Sequence, residues 1–511
     1  MKLNKLIAIA TISLLSGGIS MAQKALNLED IVAGNVIQTK GIGSMTWLKD
    51  GERYSCLENN KQTGGTDIVA YRAKDNSREV IIPSSLLTDK STGRPIPVRS
   101  VSWSADNEKV LIYNNTQRVW RYDTRGDYWV LNLKDGALRQ LGKGMPESSM
   151  MFAKFSPDGT RVAYVSNNNI YVEDIDSGKI TQLTKDGSDT IVNGTFDWVY
   201  EEEFSCRDGF RWSPDGKHIA YWQSDTKGTG VFDIINNVDS IYAKVIHFPY
   251  PKAGTTNSAV KVGYVSSTGG NTTWIAIPGD PRNNYLPRME FIPESDELFI
   301  QQLNRPQNTN KVWIAKISDN SLNNIFTDTD AAWLDTNDNI QWLKDNRYFT
   351  WESERSGWRH LYRISRDGKE IQPITKGDFD VTSIYAQNKN SLLVGRTDMN
   401  HNADLFSVDL KKGTMNQVTE VNKQNYAKIT PSKTELKMVK TTDGKEMGVW
   451  FVYPPDFDPN KKYPTLLYCQ GGPQSALTQF FSTRWSPALM AAKGYIVVAP
   501  NRRGMPGWGT K

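Results

Sequence analysis

The chain has 511 residues, a formal net charge of +5 at pH 7, and a hydrophobic fraction of 38%. This length predicts two or more domains with large cores, and so small and dispersed a charge argues against a nucleic-acid partner. Three cysteines spread over the chain exclude a disulfide framework, and we expect buried free thiols at Cys56, Cys206 and Cys469.

Residues 1–22 have the pattern of a secretory signal peptide. Two lysines precede an apolar core from Leu6 to Leu15, and small residues at 20–22 suit cleavage before Gln23. The apolar stretch is shorter than the roughly 20 residues that a membrane span needs. We therefore expect an exported chain, periplasmic or secreted, with no membrane span after signal cleavage.

A repeated unit follows the predicted lead-in segment at 23–35. Each unit has an aromatic or aliphatic residue, a polar turn such as Ser-Pro-Asp-Gly, and then a short apolar strand. Eight units begin at Trp47, Trp103, Phe155, Trp212, Phe291, Trp342, Tyr385 and Ile429. Intervals of about 50 residues with several strands per unit are typical of propeller blades, because one small sheet cannot bury both of its faces. The sequence therefore predicts an eight-bladed β-propeller over residues 36–440.

The interval between Trp212 and Phe291 is the longest one, which predicts an insertion in the fourth unit. Its content, including residues 241–251, is still strand-like. A β-sandwich is the alternative architecture, but a sandwich gives no reason for the same turn to recur eight times.

A change in composition at Thr441 predicts a second domain over residues 441–511. Residues 464–468 and 495–499 form two short apolar runs that we interpret as buried strands. Ser486-Pro487 predicts the start of a helix between them, since serine caps a helix and proline suits its first turn. Strand, helix, strand predicts the beginning of an α/β domain with a parallel strand pair.

Three consecutive carboxylates, Glu201 to Glu203, lie between the aromatic residues of the run Asp197–Phe204. Like charges repel one another at this spacing unless a cation answers them. One interpretation is a solvated acidic surface. The other is a site for a primary ammonium, whose three donors suit two carboxylates.

The run D-W-V-Y-E-E-E-F resembles the double-glutamate motif of the dipeptidyl peptidase IV family, which belongs to the prolyl oligopeptidase family of serine peptidases. The repeats resemble the eight-bladed propeller of that family. Residues 461–473 and 501–504 resemble the start of its hydrolase domain. The resemblance implies a mainly β fold, with an eight-bladed β-propeller followed by the start of an α/β-hydrolase domain.

The resemblance also implies roles for particular residues. Glu202 and Glu203 match the two glutamates that hold the free N-terminus of a peptide substrate. Arg121 matches an arginine that contacts the carbonyl of the second substrate residue, although an ordinary arginine of the propeller surface is the alternative. Gln470 stands where the family has a tyrosine that helps to form the oxyanion hole, so the role of that tyrosine does not transfer. The amide or the backbone N–H of Gln470 is a candidate replacement.

The sequence contains no G-x-S-x-G motif, and all four histidines precede Thr441. On repeat strands and loops, we expect these histidines to be structural. We therefore expect that the catalytic serine, aspartate and histidine are not among these 511 residues, that a catalytic serine lies beyond Lys511, and that this chain is inactive alone. The implied reaction uses no metal and no cofactor.

The implied activity is the release of N-terminal X-Pro or X-Ala dipeptides from peptides with a free N-terminus. A tripeptidyl peptidase or a broader aminopeptidase of the same family is one alternative. A propeller that only binds other molecules is another, since propellers often serve as platforms. The sequence leaves open whether the full-length protein is a homodimer.

Overall fold

The computed structural model describes residues 23–32, 46–72, 75, 77–387, 390–471, 477, 481–505 and 508. The predicted signal peptide and residues 33–45 lie outside the described residues. In the described part of the chain the α-helices are short: α1 (Leu28–Val32), α2 (Trp198–Phe204), α3 (Lys423–Tyr426) and α4 (Pro487–Ala492). None of them is long and apolar enough to cross a membrane.

Seven antiparallel sheets follow one another from Thr46 to Gln417. The first contains β1 (Thr46–Trp47), β2 (Arg53–Asn59), β3 (Thr66–Arg72) and β4 (Arg78–Ile82). A 3₁₀ turn at Ser84–Leu87 and a ribbon of β5 (Thr88–Asp89) and β6 (Arg94–Pro95) follow it. The second contains β7 (Ser100–Trp103), β8 (Lys109–Arg118), β9 (Asp123–Asn132) and β10 (Leu138–Gln140). The third contains β11 (Met150–Phe155), β12 (Arg161–Ser166), β13 (Asn169–Asp174) and β14 (Ile180–Gln182), and one residue pair joins it to the second.

The fourth sheet is the largest of the remaining four. It contains β15 (Ile191–Asn193), β16 (Phe210–Trp212), β17 (His218–Asp225), β20 (Ala259–Ser266) and β21 (Thr273–Trp274), and a separate hairpin of β18 (Val231–Asn236) and β19 (Lys244–Pro249) projects from it. The fifth contains β22 (Asn284–Phe291), β23 (Glu297–Asn304), β24 (Thr309–Lys316) and β25 (Ser321–Thr329). The sixth contains β26 (Tyr348–Ser353), β27 (His360–Ser365) and β28 (Ile371–Pro373). The seventh contains β29 (Ser383–Gln387), β30 (Ser391–Arg396), β31 (Asp404–Asp409) and β32 (Met415–Gln417). The hairpin is the insertion that the long fourth interval predicts.

The recurring polar turn connects the first two long strands of a sheet. Before β17, the Ser213 hydroxyl donates to Asp215 at 2.7 Å and accepts the backbone N–H of His218 at 2.9 Å. Gly216 has a φ of 68°, in the region that favours glycine. The same pair of serine bonds recurs at Ser104 before β8 and at Ser156 before β12, and Ser365 makes it in a different turn, between β27 and β28. Each copy satisfies the polar groups of the turn locally, which is why the unit folds the same way in different sheets.

Apolar clusters join each sheet to the next one. Examples are the cluster around Ile68 and Val110 between the first and second sheets, and the cluster around Trp222 and Leu298 between the fourth and fifth. Further clusters join the second to third, third to fourth, fifth to sixth, and sixth to seventh sheets. Side-by-side packing of small sheets is the arrangement of a propeller. Among the described residues, no such cluster joins the seventh sheet to the first.

The predicted count of eight blades is not confirmed. The last repeat unit contains β33 (Thr434–Lys440), which pairs over its whole length with β34 (Glu446–Val452). β34 pairs in turn with β36 (Ile496–Pro500), and β36 runs parallel to β35 (Thr465–Leu467). The eighth unit therefore contributes its strand to the C-terminal sheet and not to a blade. The domain boundaries stay a prediction, and this pairing favours a boundary before Thr434.

The C-terminal sheet has the predicted strand, helix, strand order. The Ser486 hydroxyl accepts the backbone N–H of Leu489 at 3.1 Å and caps α4, and Pro487 is its first residue. Ala491 and Val497 pack in one cluster with Trp450 of β34. The parallel pair β35 and β36 confirms the beginning of an α/β unit.

The three cysteines are all free thiols, as expected. Only their burial differs from the prediction: Cys206 is buried, Cys56 is half-buried and Cys469 is exposed. Cys469 follows a three-residue edge strand, where little chain is available to cover it.

Candidate functional site

The acidic run forms the helix α2, which is fixed at both ends. The Asp197 carboxylate accepts the backbone N–H of Tyr200 at 3.1 Å and the Ser258 hydroxyl at 2.5 Å. Burial nevertheless raises the pKa of Asp197, because it disfavours the charged form. At the other end Ser205 takes a φ of 55°, and the Arg288 guanidinium donates to the Phe204 carbonyl at 2.8 Å. A seven-residue helix has little stability alone, so these caps define its position.

Aromatic side chains hold one face of α2 against the protein. Tyr200 and Phe204 are buried in the cluster between the fourth and fifth sheets. The Tyr200 hydroxyl accepts the backbone N–H of Leu286 at 3.2 Å. On the other side, Trp198 stacks on Tyr250 with 4.5 Å between ring centroids. The helix is therefore not a solvated acidic surface on all sides.

The three glutamates have three different environments. Glu201 is 8% exposed, and its Oε1 atom has no hydrogen-bond partner. Burial raises the pKa of the Glu201 carboxyl, while the Arg207 guanidinium and the Arg121 backbone N–H favour its charged form. Glu202 is partly exposed and pairs with Arg121, and Glu203 is exposed.

Arg121 and Glu202 form a two-point ion pair. The Nε and Nη2 atoms of Arg121 donate to the two carboxylate oxygens of Glu202, each at 2.6 Å. The pair holds the pKa of Arg121 above its usual value. Arg121 lies on the connection between β8 and β9 of the second sheet, 81 residues from Glu202. The structure thus brings together two of the residues that the sequence singled out.

Glu203 lines a cavity of about 2130 Å³. The cavity walls come from the fourth to seventh sheets and their connections, including Glu352 and Trp333, and from the C-terminal sheet and the residues after it, including Glu446 and Asn501. Glu203 is thus the only one of the three glutamates on this cavity wall among the described residues. Arg121, Glu202 and Gln470 are not among the described residues that line it.

Gln470 lies three residues after β35 and is half-buried. The adjacent turn residues Gly472 and Pro473 lie outside the described residues. The proposed oxyanion role of Gln470 stays a prediction.

The four histidines differ in their surroundings, and their expected structural role stays a prediction. His360 is buried, and its two ring nitrogens lie 3.0 Å from the Thr375 hydroxyl and 2.8 Å from the Gly377 carbonyl. His401 lies 2.9 Å from Asp398 and His247 lies 2.6 Å from Asp233. His218 packs edge-on against Tyr264.

Two residues near the glutamates were not predicted. Arg207 follows α2, and its guanidinium lies over the Tyr122 ring at 4.0 Å from the centroid. Tyr122 is the neighbour of Arg121 in the chain. Nothing in the sequence predicts this contact, because Arg207 and Tyr122 lie in irregular segments next to two different sheets.

The sequence profile described as "Dipeptidyl peptidase IV (DPP IV) N-terminal region" matches residues 104–447, which is most of the chain and includes Arg121 and the whole of α2. The chain belongs to this family. One curated relative is dipeptidyl-peptidase 5 of Porphyromonas gingivalis, 34% identical over 310 residues, which are 59% of this chain and 40% of the relative. Another is a probable dipeptidyl-aminopeptidase B of Emericella nidulans, 24% identical over 94% of this chain and 62% of the relative.

Solved structures of this family share the fold. A crystal structure of Porphyromonas gingivalis dipeptidyl peptidase 4 matches with a TM-score of 0.74 and 23% identity, over 95% of this chain and 75% of that one. A putative dipeptidyl aminopeptidase IV from Bacteroides ovatus matches with a TM-score of 0.65. The mainly β fold with an α/β segment is thus confirmed. The chain spans 40% and 62% of the two curated relatives in length.

Proposed function

We propose that this chain carries the substrate-binding part of an exported serine exopeptidase of the dipeptidyl peptidase IV type. The observation that supports it best is the arrangement of Glu202 and Glu203. Arg121 neutralises Glu202 through two hydrogen bonds, and Glu203 presents a carboxylate to the cavity. One carboxylate beside a neutral pair provides a net charge of −1, which suits one peptide ammonium.

In this proposal, the site recognises the free N-terminus of a peptide and sets the length of the product. The ammonium of a peptide binds the carboxylates of Glu203 and Glu202, while Arg121 donates to a peptide carbonyl. Because α2 is capped and packed, this contact point is fixed relative to the cavity. A fixed ammonium sets how many residues reach the nucleophile, so a short N-terminal product is released. We propose X-Pro or X-Ala dipeptides as products, and a serine nucleophile supplied by the full-length enzyme.

Binding energy at this site should be large enough to measure. A charge-assisted hydrogen bond contributes about 1.5–3 kcal/mol. Loss of one carboxylate should therefore weaken peptide binding roughly tenfold to a hundredfold, because 1.4 kcal/mol is about a factor of ten.

The decisive experiment measures peptide binding to the 511-residue protein by calorimetry. The ligands are an X-Pro peptide with a free N-terminus and the same peptide acetylated at its N-terminus. Wild type should bind the free peptide and reject the acetylated one, and Glu203→Ala or Glu202→Ala should lose this preference. Glu446→Ala is the matched control, since Glu446 is an exposed carboxylate of the C-terminal sheet that lines the same cavity.

Two outcomes would contradict the proposal. If all three variants weaken binding equally, only the general negative charge of the cavity attracts the peptide. If the Glu202 and Glu203 variants bind both peptides in the wild-type ratio, the glutamates are a solvated acidic surface, and a propeller that serves as a binding platform becomes the better proposal.

Turnover is expected to be absent in this polypeptide. With no G-x-S-x-G motif and no histidine after Thr441, we expect no hydrolysis of glycyl-prolyl-nitroanilide. Hydrolysis above a blank that a serine-directed inhibitor abolishes would refute this. In the full-length enzyme, mass spectrometry of the products separates dipeptidyl from tripeptidyl release.

A further inference from the structure

Arg121 lies on a tight turn that needs support from outside the turn. The Val119 backbone N–H donates to the Tyr122 carbonyl at 2.9 Å, which closes a four-residue turn between β8 and β9. The Arg121 side chain is 68% exposed. An ion pair with so exposed a guanidinium contributes little to fixing the position of Arg121. Water screens the two charges, and the long side chains lose conformational freedom when they pair. The Glu202 contact alone therefore does not explain a fixed position for Arg121.

The residues on both sides of Arg121 dock onto the α2 region. The Trp120 ring packs on Phe248 of β19 with 5.0 Å between centroids, and Phe248 also contacts Trp198 of α2. The Tyr122 ring lies under the Arg207 guanidinium at 4.0 Å. A guanidinium over an aromatic face is attracted by the ring quadrupole.

Glu201 interacts with residues on both sides of this contact. Its carboxylate is buried, and both the Arg207 guanidinium and the Arg121 backbone N–H act on it electrostatically. Its Oε1 atom and the Nη1 atom of Arg207 are both buried without a hydrogen-bond partner. Burying a carboxylate costs free energy unless nearby cations or hydrogen-bond donors offset the cost. The burial of Glu201 therefore indicates that this residue has a role at the contact.

We infer that Glu201 and Arg207 are positioning residues that hold the Arg121 turn on α2. Glu201 attracts Arg207 and the Arg121 backbone, and Arg207 holds the Tyr122 ring. Together they place the Arg121 guanidinium on Glu202, which leaves Glu203 as the uncompensated carboxylate of the site. This inference rests on the proposed function, because its consequence is the orientation of a bound peptide.

The test is a double-mutant cycle on peptide binding to the 511-residue protein, with the free X-Pro peptide as the ligand. Arg121→Met and Glu201→Gln should each lower the affinity about three- to tenfold. If Glu201 acts through Arg121, then Glu201→Gln should have no further effect in the Arg121→Met background. Independent, multiplicative effects would overturn the inference, and so would an unchanged affinity in either single variant.

A second pair of variants leaves the buried Glu201 carboxylate unchanged and alters Tyr122 instead. Tyr122 is 47% exposed, so its replacement should not unfold the protein. Tyr122→Leu removes the aromatic face and should weaken binding about threefold, whereas Tyr122→Phe keeps the face and should restore wild-type affinity. Equal affinities for both variants would overturn the inference. Circular dichroism checks the fold, and if Glu201→Gln proves unfolded, this pair decides.

The inference and the proposed function fail separately. If Glu203→Ala abolishes the preference for a free N-terminus while the Glu201 and Tyr122 variants bind normally, only the positioning inference is wrong. If no glutamate variant changes that preference, the proposed function itself is wrong.

Discussion

The helices α2 and α4 are both short and both start at a capped residue, yet they depend on their surroundings to different degrees. In α2 the buried residues are Tyr200, Glu201 and Phe204, and side chains from two other segments bind its ends. In α4 the buried residues are Pro487, Ala488 and Ala491, small side chains that pack beneath the C-terminal sheet. The difference shows that α2 is held by large, specific contacts, as the proposed ammonium site would require.

The largest expected effect that separates the two regions is the loss of Tyr200. Tyr200 is 2% exposed and fills the cluster between the fourth and fifth sheets, so Tyr200→Ala should lower the free energy of unfolding by about 3–5 kcal/mol. Tyr495, just before β36, is 39% exposed. Tyr495→Ala should cost less than about 1 kcal/mol. Urea unfolding of wild type and the two variants measures both changes in the free energy of unfolding. Equal losses in the two variants would remove the contrast between the regions.

The sequence predicted the parts of the fold that repeat. Three of the units, at Trp103, Phe155 and Trp212, form the same local serine and aspartate hydrogen bonds, which each of these units makes by itself. The eighth unit is not confirmed as a blade, because the strand-like segment Leu436-Lys437-Met438-Val439 suits a blade or any other sheet. Only pairing with β34 decides between them, and strand pairing is a property of the tertiary structure.

The sequence also predicted only a part of the candidate site. Glu202, Glu203 and Arg121 were found through a resemblance, and two of them do meet. The contact of Arg207 with Tyr122 was not found, since neither residue type nor spacing marks it. The burial of Glu201 was also missed, because three adjacent glutamates look alike until the helix turns them in different directions.

A smaller effect is expected from the loss of the residues that cap α2 and α4. Asp197→Ala removes an acceptor for the Tyr200 backbone N–H and leaves the buried Ser258 hydroxyl without its partner, so it should cost about 1–2 kcal/mol. Ser486→Ala removes only the bond to Leu489 and should cost about 0.5–1 kcal/mol. Asp197→Asn keeps an acceptor oxygen and should recover most of the loss. The measurement is again urea unfolding at pH 7, and a larger loss at Ser486 would reverse the ranking.

The third and smallest effect is a pH dependence that belongs to α2 alone. Burial raises the pKa of the Glu201 carboxyl, so the folded state binds this proton more tightly than the unfolded state does. The stabilising contribution of Glu201 is therefore complete below the ordinary glutamate pKa of about 4.3 and is lost as the pH rises through the raised pKa of the folded protein. Glu201→Gln cannot ionise and escapes that loss. Relative to wild type, the variant should accordingly gain stability as the pH increases from about 4.3 toward 7. The gain should be small, because Arg207 and the Arg121 backbone N–H offset part of the cost of burial.

Unfolding curves at several pH values in this window measure the gain in stability, with Glu446→Gln as the baseline for an exposed carboxylate. A constant separation between the Glu201→Gln and wild-type curves would mean that Arg207 and the Arg121 backbone N–H offset the whole cost of burial, and the expected pH dependence would be wrong.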